Sequence, residues 1–456
     1  MYDYRQALIP QPQKITDSGA AVCLDAACVL NAAPAASDVF ASAVAQLKEA
    51  FAAKGAALAA CGQGYPITLS VGNCKVTEKE GYTIEITADG AVLTGADNAG
   101  AFYAAVTFEK LLYVQDGKLY LPVTAIEDYP SFPERGQFLE DRYGSEFMTL
   151  DDYKEAIDYF AKMKFNSLTI GVYGCWGVQY DNRRSEYLYV PISKHPELKT
   201  PMHIKYYSAA KQESVIKNNV LPTMFEQDFF GEIVAYAKKK NIEVRPLFNS
   251  LGHNTLIPNV YPELSAVGED GQLLGRGMCP SNPKTYEVLF NIYDEIVDKY
   301  LTPNGITSFH IGMDEVHVAD QCHCAECSKK PFTEMAVDHV IKLTKHLKEK
   351  GIQHVHMYYD TIFNYFRTAS STYFAAGEKP LTQEEVDAAV ARTAQRFKDE
   401  GIYENAILDW WSYGSDEKLF HGRTLNSAFR SVIKPMTGYY HWVSPMERND
   451  SIYGCA

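Results

Sequence analysis

The sequence predicts an α/β protein: a (β/α)8 TIM barrel whose eighth strand is truncated, preceded by a small α/β accessory domain. Three observations predict it. From Arg135 to Thr437, short apolar runs alternate with helical segments of roughly 10–18 residues, the pattern of parallel β/α units. Seven such strands are countable, which suits a closed barrel better than an open doubly wound sheet. Upstream the pattern differs, and Asp128-Tyr129-Pro130-Ser131-Phe132-Pro133 separates the two parts. Each proline there biases its predecessor to extended structure, so the segment reads as a stiff linker. The expected domains are residues 1–126 and 127–456.

The elements follow in order. Asp38–Leu58 is an Ala-rich helix with Ser37 as its N-cap. Ile67–Val71, Tyr82–Ile86 and Val92–Leu93 read as strands, the last two joined by Ala88-Asp89-Gly90, a hairpin signal. A helix over Asn98–Leu112 and a strand over Leu119–Val123 complete the accessory domain. In the barrel, strand Gly136–Leu139 precedes a helix over Tyr153–Lys164, started by Thr149-Leu150-Asp151-Asp152. Strands Ser167–Val172, Glu243–Phe248, Thr307–Gly312, His354–Tyr358, Ala406–Asp409 and Val432–Thr437 follow. Between them lie helices over Asp228–Lys240, Lys284–Tyr300, Thr333–Lys350 and Gln383–Glu400. A polar, Tyr- and Lys-rich insertion, about Gln179 to Pro222, follows the second strand, where barrels carry active-site loops.

Composition bounds the function. The 456 residues carry a formal net charge of −14, a poor match for phosphate backbones or anionic lipid, so neither nucleic acid nor membrane is an expected partner. No apolar run of about 18 residues spans a bilayer. No basic n-region with an apolar h-region opens the chain, which predicts a cytoplasmic protein unless a signal has been removed. Ten cysteines in this length are too sparse for a disulfide scaffold.

The sharpest chemical segment is Phe309-His310-Ile311-Gly312-Met313-Asp314-Glu315-Val316, at the C-terminal end of the fourth barrel strand. Two adjacent acids there raise one another's pKa, which suits a general acid at neutral pH; two solvated loop carboxylates are the simpler alternative. Close behind, Cys322, Cys324 and Cys327 have a spacing that suits a structural zinc site, with Cys279 or a histidine as fourth ligand, or else they are reduced thiols packing a loop. No Walker loop, His-Glu-x-x-His or Gly-x-Ser-x-Gly occurs. His354-Val355-His356 has the alternate-residue spacing of metal ligands on other barrels, but alternation directs such a pair into the packed interior.

The acid segment resembles the His-x-Gly-Gly-Asp-Glu signature of glycoside hydrolase family 20, the β-N-acetylhexosaminidases. The likeness extends in order along nearly the whole chain. Ile9-Pro10-Gln11-Pro12-Gln13-Lys14-Ile15 and Gly81-Tyr82 through Gly100-Ala101-Phe102-Tyr103 resemble the family's accessory domain. Glu134-Arg135-Gly136, Leu251-Gly252-His253, Tyr261-Pro262-Glu263-Leu264 and Pro280-Ser281-Asn282-Pro283 are similar to segments of its barrel. The resemblance implies a retaining, exo-acting hydrolase of terminal β-linked GlcNAc or GalNAc, on a glycan or glycoconjugate, that needs no cofactor. It implies Glu315 as general acid and base, and Asp314 as the group that orients the 2-acetamido nucleophile. By the same likeness, Arg135, His253 and His310 contact or support the sugar site; the alternative for Arg135 is an ion pair with Glu140 or Asp141. Tyr359 and Asp360 fall where the family has a fifth-strand tryptophan. Trp411, or Trp410, would pack on the sugar face, and Tyr440, or Tyr439, would bond the acetamido oxygen.

Several departures mark a divergent member. Met313 replaces the second glycine of the signature, which puts a bulky side chain beside the acids. The second strand ends Val172-Tyr173-Gly174-Cys175-Trp176 in place of His-Leu-x-Asp-Asp. Asn249-Ser250-Leu251-Gly252-His253 replaces Asp-x-Pro-Gly-His. These changes motivate two alternatives: a non-catalytic carbohydrate-binding relative, or a hydrolase of a modified amino sugar. After the seventh strand the chain stops at the approach to the eighth, so a fragment with an open barrel edge is expected.

Overall fold

The computed structural model describes residues 3–25, 27–32, 37–139, 148–172, 188–199, 202–220, 227–363, 382–410 and 430–433. Trp411, Tyr439, Tyr440, Cys175 and the expected eighth strand lie outside the described residues. Two compact units divide the chain: 1–136 with 154–167 and 235–243, and the remainder.

The first unit is built on an eight-stranded sheet. Its strands are β1 (Lys14–Cys23), β2 (Cys28–Ala32), β3 (Leu58–Ala59), β4 (Tyr65–Val71), β5 (Tyr82–Ile86), β6 (Ala91–Gly95), β7 (Tyr113–Gln115) and β8 (Lys118–Asp128). Their order is β1-β8-β5-β6-β4-β2-β3, with β7 beside β8. Burial alternates along β4 and β5, as a sheet with one covered face requires. Helix Asp38–Ala52 starts where Ser37 Oγ accepts the amide of Phe40 at 3.1 Å. It ends short of the expected Leu58, because the chain turns at Gly55, with φ +74°. Helix Asn98–Leu111 is buried nearly all round, so its weak amphipathic pattern is that of a core helix. The sheet runs on to Asp128, two residues past the expected boundary at 126.

In this unit Lys164 Nζ bonds Asp128 Oδ2 at 2.8 Å and Tyr82 OH at 2.7 Å. Arg135 reaches Glu80 Oε2 at 2.6 Å, and both charges are largely buried. Buried charges persist only when paired in this way.

The second unit carries a seven-stranded sheet. It comprises β9 (Gly136–Leu139), β10 (Ser167–Gly171), β13 (Glu243–Leu247), β16 (Ser308–His310), β17 (His354–Tyr358), β18 (Ala406–Trp410) and β19 (Arg430–Ile433), adjacent in that order. β13–β16–β17–β18–β19 pair in parallel. The intervening strands are the insertion's antiparallel hairpin, β11 (Met202–Ser208) with β12 (Glu213–Val220), and a small ribbon, β14 (Ser265–Val267) with β15 (Leu273–Met278). Burial is continuous along β10 and β16 and nearly so along β13 and β17, as parallel strands covered on both faces require. Of helices Pro283–Ile296, Phe332–Glu349 and Gln383–Asp399, the first and third begin with recognisable signals. Asn282 accepts from Lys284 N ahead of Pro283, and Thr382 with Glu385 forms a capping box. β16 is shorter than expected because the chain leaves extended geometry at Gly312. Among the described residues, no helix is long and apolar enough to cross a membrane.

Candidate active site

β13 and β16 are neighbours, with Leu247 opposite His310. Beyond their ends the two chains run on together. Phe248 N donates to His310 O at 2.8 Å, and Ser250 N to Ile311 O at 3.1 Å. This brings His253, from the β13 side, against the acids that follow β16. At Gly252 the approach is close: a Cβ there would lie 2.7 Å from Val316 Cγ2 and 3.1 Å from Asp314 O. Only glycine lets these backbones meet.

The chain then turns sharply. Gly312, Met313 and Glu315 have φ of +73°, +88° and +47°, and His253 has +45°. Three non-glycine residues in the left-handed region cost about 1–3 kcal/mol each, and such strain collects at functional sites. Hydrogen bonds hold it. Gly312 N donates to His310 Nδ1 at 2.9 Å, Glu315 N to Asp360 Oδ2 at 2.6 Å, and Val316 N to Thr361 Oγ1 at 3.3 Å.

His253 Nε2 lies 3.3 Å from Glu315 Oε2 and 3.6 Å from Asp314 Oδ2, so one histidine faces both acids. The Asp314 and Glu315 side chains are 15% and 16% exposed. Burial pushes the Asp314 carboxyl up to about 7; His253 opposes this, while the charges of Asp360 and Glu315 add to it. Burial therefore outweighs the repulsion between neighbours that the sequence suggested. Asp314 Oδ1 is buried and has no hydrogen-bond partner among the described residues. A carboxyl near neutrality beside a second carboxyl can hold a proton on one and a charge on the other.

A polar layer lies beneath. Asp409 Oδ1 accepts from His356 Nδ1 at 2.8 Å, and its Oδ2 lies 3.2 Å from His310 Nε2; all three side chains are buried. Burial raises the Asp409 carboxyl, but His356 and His310 more than offset it and hold it well below the usual carboxylate range. Since His310 Nδ1 accepts from Gly312, its other nitrogen carries the proton toward Asp409.

Several sequence expectations need correction. Arg135 precedes β9 and lies in the first unit. Its guanidinium is committed to Glu80 and to the carbonyls of Phe132 and Lys164, and its partner is neither Glu140 nor Asp141. His310, by contrast, keeps the supporting alternative: it is fully buried and accepts from Gly312 N. Asp360 and Tyr359 are fully buried too, and Asp360 holds the Glu315 backbone. Met313, beside the acids in sequence, is fully buried, its sulfur accepting from Ser250 Oγ at 3.6 Å. Ser250, Thr361 and Asp409 also support the site, and no motif singles them out. An aspartate ending the apolar run Ala406-Ile407-Leu408 was the available signal for the last.

Apart from the acids, Cys279, Cys322, Cys324 and Cys327 come together, with their sulfurs all within 4.8 Å of one another.

Comparison with known proteins bears on this arrangement. Residues 5–129 match the family description "Glycosyl hydrolase family 20, domain 2", and residues 132–443 match "Glycosyl hydrolase family 20, catalytic domain". Among curated relatives, a β-hexosaminidase of Akkermansia muciniphila is 25% identical over 250 residues, covering 52% of this chain and 45% of the relative. The β-hexosaminidase subunit alpha of Mus musculus is 25% identical over 247 residues, covering 52% and 40%. The chain thus spans less than half the length of these relatives. Among solved structures, a Flavobacterium johnsoniae chitobiase superposes with a TM-score of 0.63 at 20% identity, covering 95% of this chain and 59% of that one. A Bacteroides fragilis β-N-acetylhexosaminidase does so with 0.63 at 18% identity, covering 93% and 74%. These superpositions establish the fold, and the family match covers most of the chain. By fold and by family match, the chain belongs to glycosyl hydrolase family 20.

Proposed function

We propose that this chain is the catalytic portion of a retaining exo-β-N-acetylhexosaminidase, acting on glycans or glycoconjugates that end in β-linked GlcNAc or GalNAc. The observation that carries it is the strained Asp314-Glu315 turn with one histidine facing both acids. In this reading the substrate's acetamido oxygen attacks the anomeric carbon. The glycosidic bond breaks, and Glu315 gives its proton to the leaving oxygen. Asp314, ionised, accepts the acetamide N–H and stabilises the cyclic oxazolinium. Water then adds at the anomeric carbon, Glu315 takes its proton, and the acetamide re-forms. An internal nucleophile supplies high effective molarity, so the protein contributes position and field. Protein and substrate groups carry every step, without a cofactor.

The raised Asp314 pKa favours its protonated form in the free protein, whereas this scheme needs it ionised; an acetamide N–H donating to the carboxylate shifts it that way. Met313, the substitution that motivated a non-catalytic reading, packs its sulfur against Ser250 Oγ. The test is inhibition by a thiazoline analogue of the bicyclic intermediate. Tight competitive inhibition of β-hexosaminide hydrolysis is expected. Turnover that the thiazoline does not touch would remove the acetamido-assisted mechanism, and sugar binding without turnover would favour a binding protein.

A further inference from the structure

We propose that Cys279, Cys322, Cys324 and Cys327 form a tetrathiolate site for a single Zn2+ ion. Cys279 follows β15, whereas the other three lie in the loop after the acids, so the sequence separates the ligands and the fold assembles them.

Distances identify the kind of site. Cys279 Sγ lies 3.7 Å from Cys324 Sγ and 3.8 Å from Cys327 Sγ. A zinc–thiolate bond of ~2.3 Å places the corners of a tetrahedron ~3.8 Å apart. A disulfide needs about 2.05 Å, and these thiols are unbridged. Sulfurs all within 4.8 Å leave no room for a multi-iron cluster, so the cage fits one ion. All-sulfur tetrahedral donation selects zinc among the common divalent ions that do no redox chemistry.

The surroundings suit a structural ion. Ala266, Met335, Val267, Leu274 and Phe332 pack around the thiols and keep water away. Val267 N points at Cys322 Sγ, and Cys327 N at Cys324 Sγ, each at 3.4 Å. Four thiolates around Zn2+ carry net negative charge, and N–H donors to sulfur offset it. The site would also fasten two segments of the barrel. His323 N donates to Val267 O at 2.7 Å, and Arg276 pairs with Asp320 at 2.6 Å, so the loop after the acids already lies on the β14–β15 ribbon. Met278 N bonds Leu251 O, two residues from His253. Zinc would lock this ribbon to the loop. The proposal stands on the thiols alone and holds whether or not the chain hydrolyses hexosaminides.

The test is elemental analysis of the full chain purified under reducing conditions without chelator. About one zinc per chain is expected, falling below ~0.2 in Cys279→Ser and Cys327→Ser, while Cys61→Ser, at an exposed position, keeps it. Because a ligand variant can misfold, the wild-type chain supplies a second readout. Removal of zinc with a chelator and reloading with Co2+ should give the strong sulfur-to-cobalt charge-transfer bands of a tetrahedral tetrathiolate, and a lower Tm in the stripped form. Wild-type protein that takes up less than ~0.2 equivalents of zinc and shows no such bands overturns the proposal, as does a disulfide found among these four residues.

Discussion

Two buried charge clusters in this chain are built on opposite terms. In the first unit, Lys164 with Asp128 and Arg135 with Glu80 are complete pairs at 2.8 and 2.6 Å, with Tyr82 and backbone carbonyls taking up the remaining donors. In the second unit, Asp314 and Glu315 share one histidine at 3.6 and 3.3 Å, on a backbone held in left-handed conformations. The first arrangement spends its charge on holding the fold. The second leaves charge unsatisfied, and it sits at the C-terminal end of the strands, where barrels do chemistry. Local rules that fail at one place and hold at another mark the functional place.

The comparison can be broken by mutation. The largest stability loss should come from the satisfied cluster. Asp128→Asn leaves Lys164 buried without its countercharge and should cost ~3–5 kcal/mol in chemical denaturation. Folded protein that survives should retain its KM, because the acids are untouched.

Gly312→Ala is next. At φ +73° its Cβ would lie 2.1 Å from Asn249 Oδ1 and 2.7 Å from Asn249 Cα, so the turn must shift. A loss of ~2–4 kcal/mol is expected, with kcat falling more than KM changes, because the acids move with the turn.

Asp314→Asn should act in the opposite sense on stability. The folded pKa of about 7 exceeds the ordinary 3.8, so the native state holds this proton more tightly than the unfolded chain. Stability from this group is full below about pH 4 and is lost as pH rises toward 7. Asparagine removes the loss: the variant should be more stable by ~4 kcal/mol at pH 8, unchanged near pH 4, and without turnover. A thermal shift equal at both pH values would contradict this. The smallest effect should be Met313→Gly, where relief of strain at φ +88° opposes loss of a buried side chain. A net loss of ~1 kcal/mol is expected by denaturation.

Much of the barrel was legible because its strands are short, largely buried segments alternating with amphipathic helices. Gly136–Leu139 and His354–Tyr358 have the bounds read from sequence. Strands β1 and β2 were not foreseen. β1 is mostly exposed and interrupted by a register shift between Asp17 and Ala21, so it carries little alternation to detect. The acid pair was legible as two adjacent carboxylates at a strand end. What holds it was not, since Asp360, Thr361 and Ser250 reach the turn from other strand ends. Arg135 misled because its partner, Glu80, lies 55 residues upstream in the turn before β5, which no local motif reveals.

The most direct test of the account compares wild type with Glu315→Gln on a β-linked N-acetylglucosaminyl disaccharide, whose poor leaving group needs a proton. The account predicts that kcat falls by ~10³ with folding and thiazoline binding retained. A variant that cleaves the disaccharide within about twofold of the wild-type rate would contradict it.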